Sequence, residues 1–173
     1  EYKDDSSPLT QADKKANVII MKGLEQFNLP IISEENKEIS YEERKDWKKF
    51  FLVDPLDGTK EFVKKNGEFT VNIALIEDGK PITGVVYAPV LDIIYYAGEN
   101  GAYKREKGED LKLPVEKSPH KPLRVVASRS HFNDKTKEYV EKLGRAYELV
   151  QAGSSLKICL VAEGKADIYP RLG

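Results

Sequence analysis

Apolar positions change rhythm along this chain, and the changes mark out its elements. Residues 1–9 are polar and read as extended. Over 10–27, Ala12, Ala16, Ile19, Ile20, Leu24 and Phe27 recur at helical spacing, and Pro30 follows the end. Ile31-Ile32-Ser33 then forms a short strand ending at Glu34-Glu35, and the highly charged stretch 36–48 reads as a surface connection. The unbroken apolar run Phe50-Phe51-Leu52-Val53 predicts a buried strand, with Asp54-Pro55-Leu56-Asp57-Gly58 where it ends and a short helix over 59–65. Residues 69–76, 82–88 and 93–97 predict strands. Asp78-Gly79 and Asn100-Gly101 mark turns, the second before a short strand over 102–104, so this part resembles an antiparallel meander.

Residues 106–122 are charged and carry Pro114, Pro119 and Pro122, which places a lobe boundary there. Beyond it the pattern alternates: strand 123–127, helix 134–143, strand 147–150, helix 155–163, strand 166–169, with Gly144 and Gly164 as helix C-caps. The predicted fold class is α/β, with an α+β lobe over 1–121 and the start of an α/β lobe over 122–173.

Composition narrows the function classes. With 28 basic and 29 acidic residues among 173 and a net charge of −1, the chain lacks the basic bias of a nucleic-acid-binding surface. Cys159 is the one cysteine; it excludes an internal disulfide, fits a reducing, cytoplasmic compartment, and reads as core within Ile158-Cys159-Leu160-Val161. No apolar run reaches the length of a membrane span.

The chemistry gathers on acids beside buried elements: Asp13, Glu34-Glu35, and Asp54 with Asp57. Carboxylates at a strand end suggest a hard divalent cation such as Mg2+. One ion could use Glu34 and Asp54, and a second could share Asp54 and add Asp57 and the Leu56 carbonyl, as in two-metal sites about 4 Å apart. Gly58 leaves room for a phosphate, and Thr59 offers a hydroxyl at a helix start. Simpler readings stand beside these. Asp-Pro-x-Asp-Gly alone is more often a turn. Glu34-Glu35 alone is more often a solvated pair, and Thr10-x-x-Asp13 fits a capping box. A capping Asp13 can still orient a water.

Taken together, Thr10-x-x-Asp13, Glu34-Glu35 and Asp54-Pro55-Leu56-Asp57-Gly58-Thr59 resemble the inositol monophosphatase superfamily of Mg2+-dependent, lithium-sensitive phosphatases. Lys60-Glu61-Phe62 resembles the 3'(2'),5'-bisphosphate nucleotidase branch of the CysQ type, where inositol monophosphatases usually have Thr-Asn-Phe. Ser6 to Asp13, Asn66 to Asn72, Ser128-Arg129-Ser130-His131 and Gly153-Ser154-Ser155-Leu156-Lys157 resemble the same branch.

The resemblance implies a layered αβαβα sugar-phosphatase fold. It also implies hydrolysis of the 3'-phosphate of adenosine 3',5'-bisphosphate to AMP, supporting sulfate assimilation, with two or more Mg2+ ions. It makes Glu34, Asp54, Asp57 and the Leu56 carbonyl metal ligands, and Asp13 with Thr59 the pair that activates water. Gly58 and Thr59 become the phosphate cradle, and His131, Ser154, Lys157 and Arg171 the nucleotide-binding residues. The partner is a small nucleotide bisphosphate, with peripheral contact to the inner face of a membrane left open. An inositol monophosphatase or sugar bisphosphatase, or a non-catalytic metal- or phosphate-binding regulator, is the alternative. The superfamily has a Trp-Asp pair soon after the strand ending near Tyr169, and its Asp is another metal ligand. That pair does not occur by Gly173, nor is a family helix seen before Glu1. The chain is therefore expected to be a piece of a longer protein, weakly active or inactive alone.

Overall fold

The computed structural model describes residues 11–117, 119–127 and 133–172. Helix α1 (Gln11–Leu24) runs into a 3-10 turn (Glu25–Phe27) and strand β1 (Ile31–Ser33). The charged connection that follows holds a single helical turn, α2 (Tyr41–Arg44), started by the Ser40 hydroxyl accepting the Glu43 N–H. Then come β2 (Lys49–Asp57), α3 (Thr59–Val63), β3 (Thr70–Glu77), β4 (Lys80–Ala88), β5 (Ile93–Gly98), β6 (Gly101–Glu106) and β7 (Glu109–Lys112). After these lie β8 (Leu123–Ala127), α4 (Asp134–Lys142), β9 (Tyr147–Gln151) and α5 (Leu156–Glu163).

Strands β1 to β7 form one sheet in chain order, β1 parallel to β2 and the rest antiparallel; β8 and β9 pair in parallel in a second sheet. The large sheet alternates its faces as a pleated strand must. Phe51 and Val53, with Ile73 and Leu75, pack under Ile20 and Leu24 of α1. The opposite face takes α5, where Ala88 and Tyr95 meet Ala152, Leu156 and Cys159. Cys159 is core, and burial pushes its thiol up to about 12. Val125 and Val140 seat α4 on the second sheet.

Three sequence expectations change. Strand β2 does not stop at Val53 but runs through Asp57. Residues 109–112 lie in the stretch read as a linker yet form edge strand β7, all of it exposed; an edge strand carrying charge needs no apolar alternation. Residues 166–169 do not form a strand beyond one bridge, Val125 to Ile168. There the Asp167 carboxylate accepts the His120 and Arg124 N–H groups at 3.0 and 2.7 Å, and Pro170 lacks the N–H to carry a ladder on.

Gly164 caps α5 in the left-handed region (φ 85°), and a Cβ there would collide with the Glu116 carbonyl. Just before it, Glu163 is buried. Tyr95 donates to its Oε2 at 2.8 Å, and the Lys104 and Lys165 ammonium groups lie 2.9 and 2.7 Å from its Oε1. Burial alone would raise the Glu163 carboxyl, but the Lys165, Lys104 and Tyr95 hydrogen bonds outweigh it and hold the group below the usual 4.5. This cluster ties the C-terminal end of α5 to β5 and β6.

Removing Lys104 takes one of two ammonium groups from buried Glu163, and losing a partner of a buried ion pair costs about 3 kcal/mol. Lys104→Met is expected to lose about that much stability in urea unfolding at pH 7. Because the folded Glu163 titrates below its unfolded value, its contribution is complete above about pH 4.5 and is lost as pH falls through the lowered folded value. The gap between Lys104→Met and the unsubstituted protein therefore narrows in acid. A gap that stays constant down to pH 3 assigns the loss to packing.

Candidate active site

The site begins with a register shift. Asp54 pairs with Asn72, and Asp57 with Thr70, so three steps along β2 match two along β3. In a regular strand Asp54 and Asp57 would point to opposite faces. The extra residue, a β-bulge at Pro55-Leu56, restores the parity, so that Asp54, Asp57, Asn72 and Thr70 share the α5 face. Pro55 is well suited to the bulge because it has no N–H to leave unpaired.

Glu34 reaches the same place from β1. Its N–H donates to the Val53 carbonyl at 3.1 Å, extending the parallel pairing one residue past Ser33 and setting Glu34 beside Asp54. The loop is fixed from α1: the Ser33 hydroxyl donates to Asn17 Oδ1 and Asn17 Nδ2 to Asn36 Oδ1, each at 2.7 Å. Helix α1 runs antiparallel to β2, with Leu24 packed near Phe51 and Asn17 level with Ser33. Asp13, one turn nearer the N-terminus and fully buried, is carried toward the end of β2. Thr10, its expected capping partner, lies outside the described residues.

Carboxylates crowd together here. Burial raises Asp54, and the charges of Glu34 and Asp57 with a hydrogen bond shared with Glu34 raise it further, to about 7, against the Leu56 N–H that donates to Oδ1 at 3.1 Å. Among the described residues no three His, Cys, Asp or Glu side chains stand close enough together to hold one metal ion as a set. The donors stand as overlapping pairs centred on Asp54. Paired carboxylates that repel one another, with a backbone carbonyl next to them at Leu56, fit a hard divalent cation, which needs few protein ligands and keeps water in its shell.

Strand β2 ends on Gly58 (φ 91°), which opens α3 at buried Thr59. The loop before α5 presses against this turn. A Cβ at Gly58 would stand 3.1 Å from Ser154 Cβ, and one at Gly153 only 2.8 Å from Glu61 Cγ and 2.9 Å from the Glu68 carbonyl oxygen. Only glycine permits that approach at 153. Ser154 itself is left-handed (φ 54°), and its hydroxyl donates to Asp57 Oδ2 at 2.6 Å. The helix N-cap is Ser155, without a side-chain cap bond.

Glu34 and Asp57 each stand beside Asp54, and Gly58 and Ser154 beside Asp57, with Leu56 and Thr59 in the same turn. Lys157, in the first turn of α5, is buried with its ammonium 5.7 Å from the Tyr169 ring centroid. Arg171 is exposed. His131 lies outside the described residues. The sequence reading missed Thr70, Asn72 and Ser155 as individual contributors, whose side chains hydrogen-bond around Ser154. The available signal was alternation: Thr70 and Asn72 are polar at every second position of a strand whose Val71 and Ile73 are apolar. The α5 face also carries a trough of about 840 Å3, where Glu34 and Asp54 share the lining with Leu52, Ala74, Ile82 and Ile158; its mostly apolar walls do not suit a phosphate. No helix among the described residues is long and apolar enough to cross a membrane.

The whole chain, residues 1–173, matches the family model described as the inositol monophosphatase family. It is 52% identical over 173 residues to the 3'(2'),5'-bisphosphate nucleotidase CysQ of Salmonella typhimurium, covering 99% of this chain and 69% of that protein. It is 51% identical, with the same coverage, to CysQ of Escherichia coli K12. The crystal structure of CysQ from Bacteroides thetaiotaomicron superposes with a TM-score of 0.86 at 43% identity, over 99% of this chain and 69% of that one. SuhB from Bartonella henselae gives 0.78 at 27% identity over 98% and 67%. The family model spans the whole of this chain and the CysQ structure shares its fold, and the chain belongs to the inositol monophosphatase family.

Proposed function

We propose that the protein is a Mg2+-dependent phosphatase that hydrolyses the 3'-phosphate of adenosine 3',5'-bisphosphate to give AMP and phosphate, with two or more Mg2+ ions at the Asp54 cluster. Its family consists of metal-dependent phosphatases. The observation that carries the reading is the bulge that turns Asp54 and Asp57 to one face beside Glu34. It stands in a chain 51–52% identical over 99% of its length to proteins named bisphosphate nucleotidases.

In this reading Glu34, Asp54, Asp57 and the Leu56 carbonyl hold the cations. Mg2+ held there would supply Lewis-acid chemistry, lowering the pKa of a bound water and offsetting charge on the leaving oxygen. The chain's own residues supply the rest. The Leu56 N–H fixes one Asp54 oxygen. Thr59 orients the nucleophile, and Asp13 accepts its proton from the first turn of α1. Gly58, bare of a side chain, lets the phosphate lie against the backbone. Lys157, Arg171 and His131, with Ser154, take the nucleotide and its 5'-phosphate. We divide the chain at about residue 121, with cation ligands in 1–121 and nucleotide contacts in 122–173.

Asp57→Asn is expected to lower turnover of the bisphosphate at least a hundredfold, read as phosphate release with Mg2+, while the circular-dichroism spectrum is kept. Unchanged turnover removes Asp57 from the site. Inositol 1-phosphate turned over faster than the bisphosphate overturns the substrate assignment.

Lys157→Ala is expected to raise KM for the bisphosphate about tenfold and for adenosine 3'-monophosphate by much less, since a lost charge-assisted contact to phosphate is worth about 1.5–3 kcal/mol. Equal effects on both substrates show that Lys157 does not read the 5'-phosphate.

A further inference from the structure

Thr70 is fully buried at the first position of β3, opposite Asp57 in the register. Its hydroxyl oxygen lies 2.6 Å from Ser154 Oγ and 2.8 Å from Ser155 Oγ, and it accepts from Asn72 Nδ2 at 3.2 Å. Ser155 in turn reaches Asn72 Oδ1 at 2.8 Å. Five polar side chains from β2, β3 and the loop before α5 thus close on one another, across more than 80 residues of sequence.

Proton counting orders them. A hydroxyl has one hydrogen, and a carboxylate oxygen can only accept. The Ser154 hydrogen is committed to Asp57 Oδ2. At the 2.6 Å contact between Thr70 and Ser154, the donor must then be Thr70. With that hydrogen committed, Thr70 accepts from the Asn72 amide, and because the Ser155 hydrogen goes to Asn72 Oδ1, the 2.8 Å approach of Thr70 to Ser155 is a contact without a hydrogen of its own. The hydrogens run one way, from Asn72 through Thr70 and Ser154 to Asp57. Each donor in such a chain polarises the next, and the charge-assisted link at the end is the strongest. Ser154 occupies a left-handed conformation that a non-glycine residue adopts at a cost, so something must hold it there, and the Thr70 hydroxyl is placed to do so.

We infer that Thr70 is a positioning residue: it sets the Ser154 hydroxyl on Asp57 and thereby fixes which carboxylate oxygen Asp57 turns toward a cation. The cation half of this statement rests on the metal role proposed above; the Thr70–Ser154–Asp57 coupling does not. The chain also makes the loop of 153–155 sense the state of Asp57, since a rotated Asp57 loses its donor and a displaced loop frees the carboxylate.

The test uses Thr70→Val, which keeps the shape and removes the hydroxyl, and Thr70→Ser, which keeps the hydroxyl. Calorimetric titration with Mg2+ alone is expected to show a loss of affinity of about tenfold or more for Thr70→Val, in line with other outer partners of metal ligands, and within about twofold of the unsubstituted protein for Thr70→Ser. In metal-free protein, Thr70→Val and Asp57→Ala combined in a double-mutant cycle are expected to be non-additive, by about fivefold in the unfolding equilibrium constant. Should Thr70→Val not fold, Ser154→Ala breaks the same chain one link later and replaces it in both measurements. Undiminished Mg2+ affinity in a folded Thr70→Val, equal impairment by Val and Ser, or an additive cycle each overturns the assignment. If the unsubstituted protein takes up no Mg2+, the metal reading fails, and the cycle alone decides whether Thr70 positions Asp57.

Discussion

One extra residue in β2 governs the site. Carboxylates three positions apart in a strand belong on opposite faces of its sheet, and here they do not, because the pairing with β3 slips by one between Asp54 and Asp57. The slip concentrates like charge. Asp54 is half-buried between Glu34 and Asp57 and is pushed up to about 7 as a result. The surrounding structure exists to tolerate that concentration: an N–H from Leu56 on one acid, a hydroxyl from Ser154 on another, and a parallel strand whose last hydrogen bond sets Glu34 at the same level.

Helix α5 shows how the later part of the chain is enlisted. It is fastened to the large sheet at both ends by different chemistry. At its start, small residues allow contact: Gly153 meets the Glu61 and Glu68 region with no room for a Cβ, and the serine hydroxyls reach Thr70 and Asn72. At its end, Glu163 is a buried carboxylate at the negative end of the helix dipole, an unfavourable place. Tyr95 and two lysines answer it. Between the ends, Leu156 and Cys159 pack on Ala88 and Tyr95. A strut anchored at both ends holds Ser154 at a defined height above Asp57.

Much of this was legible in the sequence, and what was not has a common cause. Helix α1, the strands of the meander, the turn at Asp78-Gly79 and the cap at Gly164 follow from local periodicity and from residues with restricted backbones. The acids Glu34, Asp54 and Asp57 were visible as a set. The bulge was not, because Pro55-Leu56 reads equally as a turn after the strand, and only pairing with β3 separates the two. Strand β7 was hidden because an edge needs no apolar face. Residues 166–169 read as a strand from Ala166, Ile168 and Tyr169, but the Asp167 side chain takes the N–H groups that a ladder would have used. The Thr70 network joins positions more than 80 residues apart, and no local pattern encodes that.

The segment Lys60-Glu61-Phe62 resembles the nucleotide branch in the sequence, and in the fold it packs between the turn after Asp57 and the loop before α5. Phe62 packs edge-on against Phe69, their centroids 5.1 Å apart, which seats α3 on the approach to β3. Glu61 lies where the Cβ atoms of Gly58 and Gly153 would be, its Oε2 3.4 Å from the first position and its Cγ 2.8 Å from the second. The side chain that distinguishes the branch therefore fills the seam between the turn after Asp57 and the loop that carries Ser154. A differently shaped residue at 61 would move that loop. The loop precedes Lys157 by one helical turn, so the seam sets the distance between the acid cluster and the cation of α5.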